Sequence, residues 1–289
     1  MAAHERQAVS WRAISTHGGL LACLLFIALL VLCAILAPLL SPHDPAEQYR
    51  DALLAPPVWD GGSSRFPLGT DSTGRDMLSR LLHGARASLL IGLASVVLSL
   101  VPGVLLGLVA AFHSGRIGTL ILRTMDVILA LPALLLAVAL VAVLGPGLLH
   151  ATLAIAVVSM PGYVRLVRAS ALAQMSEDYV VAARMSGAGS LRIMFDAVLP
   201  NCLAPIVVAA TLGFSEAILT TAALGFLGLG AQPPTPEWGS MLSSARDHLE
   251  SARWVVTLPG LAILSTVLAI NIVGDGLRDA LDPRMRGTQ

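Results

Sequence analysis

Residues equipped for covalent or acid–base chemistry are few in this sequence and poorly placed for it. The chain has no lysine, so all 18 of its basic residues are arginine. A Gly-Lys-Ser/Thr phosphate loop is therefore excluded, and with it ATP binding by that route. No Gly-x-Ser-x-Gly or His-Glu-x-x-His sequence occurs, which removes the usual hydrolase signatures. His4, His17, His43, His83, His113, His150 and His248 are scattered outside the centres of the apolar runs. Cys23, Cys33 and Cys202 lie inside or at the edge of such runs, where a thiol acts as a small hydrophobe. The pattern predicts no disulfide framework, no metal site, no catalytic residue and no directly bound cofactor. Among the acids only Glu216 falls clearly within an apolar run, while Asp126 and Asp275 stand at the ends of runs. Arg123 and Asp126 are spaced to pair along one helix.

The elements that carry these residues are set by composition. Of 289 residues, 56% are hydrophobic and 12% charged, with a mean hydropathy of +0.79. Soluble domains carry about 25% charge, so a solvated globular surface cannot be built over this length. The 18 acidic residues balance the arginines, which leaves no basic face for nucleic acid.

A bilayer core about 30 Å thick needs roughly 20 apolar residues. Six stretches meet or approach that length: Gly19–Leu40, Ser88–Phe112, Val127–Leu144, Leu148–Val164, Cys202–Ala223 and Trp254–Val273. The first is longer than the apolar part of a signal peptide and reads as a retained span. The other five each contain a proline, which kinks a membrane helix. These readings predict an all-α polytopic membrane protein, with a straight peripheral first helix beside a kinked core of five. Gly103 and Gly107 suit close helix packing.

With the N-terminus inside, one side holds Arg6, Arg12, Arg116, Arg123, Arg165, Arg168, Arg184, Arg192, Arg278, Arg284 and Arg286. The other side holds the fewer remaining arginines, so both termini are expected in the cytoplasm. Residues 1–85 divide from a core at 86–289, whose cytoplasmic loop spans about 165–201.

Three loops carry the remaining signals. Before the second span, Thr73 and Asp76 resemble a capping box. Met77, Leu78, Leu81, Leu82 and Ala85 then recur opposite Arg75, Asp76, Ser79, Arg80 and His83. That pattern fits an amphipathic helix on the membrane face or one packed on the bundle's own loops. The loop from Gly228 to Arg253 is broken by Gly and Pro, and Trp238 and Trp254 suit an interfacial belt. In the loop at 165–201, Ser176 is placed to cap a short helix ending at Ser186-Gly187. Ser190 is placed to cap a second one, Leu191–Val198, which Pro200 would stop. Two short helices joined by a glycine elbow form a knob that small Ala182 and Ala183 open to another surface.

This last loop resembles the EAA motif of permease subunits in binding-protein-dependent ABC importers. That motif reads Glu-Ala-Ala, three residues, Gly, nine residues, Ile, one residue, Leu-Pro. Here Ala182, Ala183, Gly187, Leu199 and Pro200 match it, whereas Val181 replaces the Glu and Ala197 the Ile. Pro67-Leu-Gly-Thr-Asp71, Gly74-Arg-Asp76, the run from Phe226 to Gly239 and the run from Gly274 to Pro283 resemble the C-type permeases of dipeptide and oligopeptide importers. Tyr179–Arg184 and Asn201-Cys-Leu-Ala-Pro205 are most similar to the dipeptide branch.

The resemblance implies a type I importer permease fold of six transmembrane helices in the bacterial inner membrane. It implies a homologous B-type permease, two cytoplasmic ATPases that use ATP and Mg, and an extracytoplasmic peptide-binding protein as partners. Tyr179, Ala182, Ala183, Gly187, Leu199 and Pro200 would form the ATPase-coupling surface. Glu216, Gly228 and Gly230 are candidates for the pathway or its gate. The rival reading is a stand-alone ion-coupled carrier, for which one buried acid without a basic partner is thin equipment.

Overall fold

The computed structural model describes residues 18–113 and 115–281. They form α1 (Gly18–Ile35), α2 (Met77–Phe112), α3 (Arg116–Leu129), α4 (Ala133–Leu144) and α5 (Leu148–Met175). After these come α6 (Asp178–Met185), α7 (Leu199–Phe226), α8 (Trp238–Ser244) and α9 (Trp254–Leu281). Among the described residues five helices are long and apolar enough to cross a membrane, and the bent pair α3–α4 makes a sixth if it forms one span. Leucines, valines and isoleucines stud the outside of the bundle, as a hydrocarbon solvent requires.

Packing centres on α2 and α5, which run against each other for most of their length. Two glycines permit this. A Cβ on Gly103 would meet the Tyr163 Cβ at 2.7 Å, and one on Gly107 would meet the Val164 carbonyl at 2.8 Å. The small-residue reading of that pair therefore holds. α7 lies across both helices, and α9 with α1 closes the flank. Pro102, Pro161, Pro205 and Pro259 all sit inside continuous helices.

The expected third span, Val127–Leu144, is not one helix. It breaks at Ala130, Leu131 and Pro132, where α3 and α4 meet at 89°. Pro132 supplies no N–H and restricts the residue before it. All three residues are exposed, so no packing holds the chain straight across the proline. α4 is then about 18 Å long at 1.5 Å per residue, short of a full crossing. α3 carries Arg116, Thr119, Arg123 and Asp126 along one side. Asp126 pairs with Arg165 of α5 at 2.7 Å, a tie between helices rather than the expected one to Arg123.

Candidate functional site

The two ends of the bundle are built differently. At one end α5 passes into α6 and then into α7. The Ser176 hydroxyl donates to the Ala173 carbonyl, closing α5, so Glu177 and not Ser176 precedes α6. α6 stops in a Schellman turn, with the Gly187 N–H on the Arg184 carbonyl and the Ala188 N–H on the Ala183 carbonyl. Gly187 has φ +82°, which a side chain would strain, and no neighbour lies within 4 Å of where its Cβ would be. The glycine elbow of the sequence reading is thus present.

The elbow is tied down chiefly by Val180, with half-buried Ala183 and Ala188 packed on the same core. Val180 is 0% exposed and packs with Val167, Ala171, Ile193, Val198 and Cys202. Around it the surface is open. Tyr179 is 40% exposed with its hydroxyl on Gln174 Oε1 at 2.6 Å, Ala182 and Gly187 are exposed, and Ala183 is half-buried. Met185 is 85% exposed and Leu191 is 70% exposed. These apolar residues were not singled out from the sequence, although their position beside the elbow was visible there.

Pro200 does not stop the second helix. Ser190–Arg192 runs through a π-helical turn, Ile193–Val198, straight into α7. Asn201 Nδ2 donates to the Ala197 carbonyl at 2.7 Å, filling a partner position that the widened turn and the proline disturb. Half-buried Leu199 and exposed Pro200 therefore lie in a rigid connection, and a push on the elbow acts on the shaft of α7.

The other end is dense with buried polar groups. Asp76 caps α2, its Oδ2 accepting from the Ser79 N–H at 3.0 Å and the Ser79 hydroxyl at 2.6 Å. The capping box expected from Thr73 is absent because Asp76 itself is the cap. Arg75, Asp76, Ser79 and Arg80 are buried rather than facing a membrane surface. The preceding loop covers them, with Arg80 donating to the Pro45 carbonyl at 3.0 Å. Asp71 bonds Arg75 Nε at 2.6 Å and lies 3.5 Å from Arg80 Nε. Burial works to raise the Asp71 carboxyl, but the Arg75 backbone N–H and the charges of Arg75 and Arg80 outweigh it and hold it low.

The loop after α7 folds back as α8. Glu237, 1% exposed, accepts from the Gly239 N–H at 2.7 Å and the Ser240 N–H at 2.8 Å. Ser88 of α2 adds a third donor at 3.2 Å. Burial pushes the Glu237 carboxyl up despite these bonds. Trp238 is buried with its Nε1 on the Leu81 carbonyl, and Trp254 bonds the Thr70 carbonyl. Neither indole belongs to an interfacial belt; both pin loops to helices. Gly239 lies so close to α7 that a Cβ would fall 2.5 Å from the Ala222 carbonyl. Buried Gly230 rests on Gly225, while exposed Gly228 has φ +78° where the chain leaves α7.

Between the two ends, Glu216 is exposed on α7. Its carboxylate has no ion pair or hydrogen bond among the described residues. The three pathway candidates are thus not gathered in one place: the two glycines shape the α7–α8 turn and Glu216 stands apart, deeper along the helix.

A family model described as the inner membrane component of binding-protein-dependent transport systems matches residues 103–287. A second, the N-terminal transmembrane domain of oligopeptide transport permease C, matches residues 7–57. The chain is 63% identical to a di/tripeptide transport system permease protein of Pseudomonas aeruginosa, over 96% of this chain and 91% of that one. It is 56% identical to the dipeptide transport system permease protein of Escherichia coli, over 96% and 92% respectively. Among solved structures it resembles an inward-facing form of the MetNI methionine ABC transporter, with a TM-score of 0.59 and 20% identity. That match covers 71% of this chain and 98% of the other.

Proposed function

This chain belongs to the family of binding-protein-dependent inner membrane transport components, and on that premise we propose that it forms half of a pathway for dipeptides. It is a permease subunit of an ABC importer, it has the type I permease fold, and ATP hydrolysis resides in partner subunits. The observation that carries the reading is the exposed elbow around Gly187, continuous with α7 and matching the motif by which such permeases meet their ATPases.

In this reading the elbow faces the cytoplasm, both termini lie on that side, and the Trp238 end faces the binding protein. A B-type permease supplies the other half of the pathway, and two ATPases bind ATP and Mg below. Tyr179, Ala182, Ala183 and Gly187 form the docked surface, and Leu199 and Pro200 pass its movement to α7. Such a push shifts an equilibrium only if the ATPase holds the elbow differently in the two states. The substrate class follows from the relatives named for di- and tripeptides.

Reconstitution tests this. The permease pair, ATPases and binding protein in proteoliposomes should accumulate labelled dipeptide only with ATP present. Accumulation by this chain alone on an ion gradient, or no dipeptide uptake by the full assembly, would overturn the reading.

A further inference from the structure

Glu216 lies ten residues before the end of α7 at Phe226, about 15 Å along the helix at 1.5 Å per residue. A carboxylate at that depth cannot face lipid without a large penalty, so it points to a water-lined cavity or to a partner. On one side of it α7 carries Ala209, Gly213, Thr220 and Ala223, none of them large, and on the other Leu212 and Leu219. A second group stands beside it without a partner. Tyr163 of α5 is 95% buried (5% exposed), and its hydroxyl has no hydrogen-bond partner. That hydroxyl occupies the space a Cβ on Gly213 would fill, one turn of α7 before Glu216. The nearby Ser99 hydroxyl donates to the Ser95 and Val96 carbonyls, and its oxygen does not meet the phenol in hydrogen-bond geometry. Buried donors without acceptors are rare and costly, so this phenol awaits one.

We propose that Glu216 is the pathway's receptor for the N-terminal ammonium of the passing peptide, with Tyr163, whose unpaired phenol lies one turn of α7 away, as the positioning residue its carboxylate turns to between substrates. The inference rests on the pathway reading above. Every dipeptide presents an α-ammonium whatever its side chains, so one carboxylate grips the common feature and ignores the variable ones. An ammonium–carboxylate hydrogen bond is charge-assisted and strong where bulk water is thinned. A fixed arginine from the partner permease is the competing occupant. The free phenol disfavours it, because a carboxylate permanently neutralised by arginine needs no resting donor.

The test uses the complete transporter at saturating peptide-loaded binding protein. Glu216→Gln should lower maximal dipeptide uptake about tenfold while the complex still purifies intact, and Glu216→Asp should recover most of it. Tyr163→Phe should cost about threefold in maximal rate, without changing the binding-protein concentration that gives half that rate. With Cys23, Cys33 and Cys202 replaced by Ala, the thiol of Glu216→Cys should react with water-soluble thiosulfonates, and dipeptide should slow the reaction. Wild-type uptake in Glu216→Gln, or a thiol at position 216 that stays unreactive, overturns the inference. Loss of the partner permease from Glu216→Gln also overturns it, by making Glu216 an interface residue. None of these results touches the function reading, which fails only if the wild-type assembly takes up no dipeptide.

Discussion

The end of the bundle around Trp238 and the end around Gly187 solve opposite problems with the same kind of short helix. At the first, α8 is sewn down by Glu237, Trp238 and Gly239, and the neighbouring loop by Asp71, Arg75 and Trp254. At the second, α6 hangs from Val180, with Tyr179, Ala182 and Met185 left open. Buried hydrogen-bonded charge fixes geometry, because any displacement strands a polar group away from water. A small apolar anchor with an open surface allows docking and tilting. The molecule thus has a clamped end and a handle end, joined by the unbroken shaft of α7.

The contrast breaks most visibly at the clamp. Asp71→Ala leaves the Arg75 and Arg80 guanidiniums buried without their counter-charge. Breaking a buried pair in this way costs about 3–5 kcal/mol. Denaturant unfolding of the detergent-purified protein should show that loss. A change below about 1 kcal/mol would mean that the cluster is solvated and that the clamp is no clamp.

At the handle the expected effect is on work rather than on folding. Gly187→Pro cannot adopt φ +82° and removes an N–H of the Schellman turn, a local cost of about 1–3 kcal/mol. The strain is confined to an exposed elbow, so membrane insertion and protease resistance should stay normal. ATP-driven uptake by the full assembly should fall at least tenfold, about 1.4 kcal/mol in coupling, and a charge in place of Ala183 should act in the same direction. Normal transport in both variants, at normal expression, would detach the elbow from coupling.

What the sequence made legible follows the same division. The elbow could be read because a Schellman turn depends on adjacent residues, and the Gly103–Gly107 contact because helical spacing puts both on one face. The clamp could not be read. A helical wheel sorts Arg75, Asp76, Ser79 and Arg80 to the wet side, and only the loop from Pro42 to Gly74 folding over them makes that side the buried one. Trp238 and Trp254 misled for the same reason, since an indole anchored on a carbonyl has the composition of one anchored in headgroups. Pro132 breaks its helix where Pro161 and Pro259 do not, because it and its neighbours are exposed and those two prolines are buried. Long-range cover decides each case, and single residues do not encode it.

The smallest effect expected is in pH, where two clamp carboxylates should pull in opposite directions. Asp71 is held below its ordinary value of 3.8, so the stability it contributes is present above that pH and is lost as pH falls through the lowered value. Glu237 is raised above 4.5 by burial, so the fold binds a proton there that the unfolded chain has released. Its share of stability is therefore complete below about pH 4.5 and drains away as pH rises through the raised value. Glu237→Gln removes the upper limb only. The amide turns its NH₂ toward one of the Gly239 and Ser240 N–H donors, costing about 1 kcal/mol at low pH. In exchange, its unfolding midpoint should no longer decline as pH rises above about 4.5 as the parent's does, while the acid-side loss from Asp71 remains in both. A variant that kept the parent's decline would place the titrating group elsewhere. It would also leave Glu237 as an ordinary ionised cap, and the clamp would then be no drier than the handle.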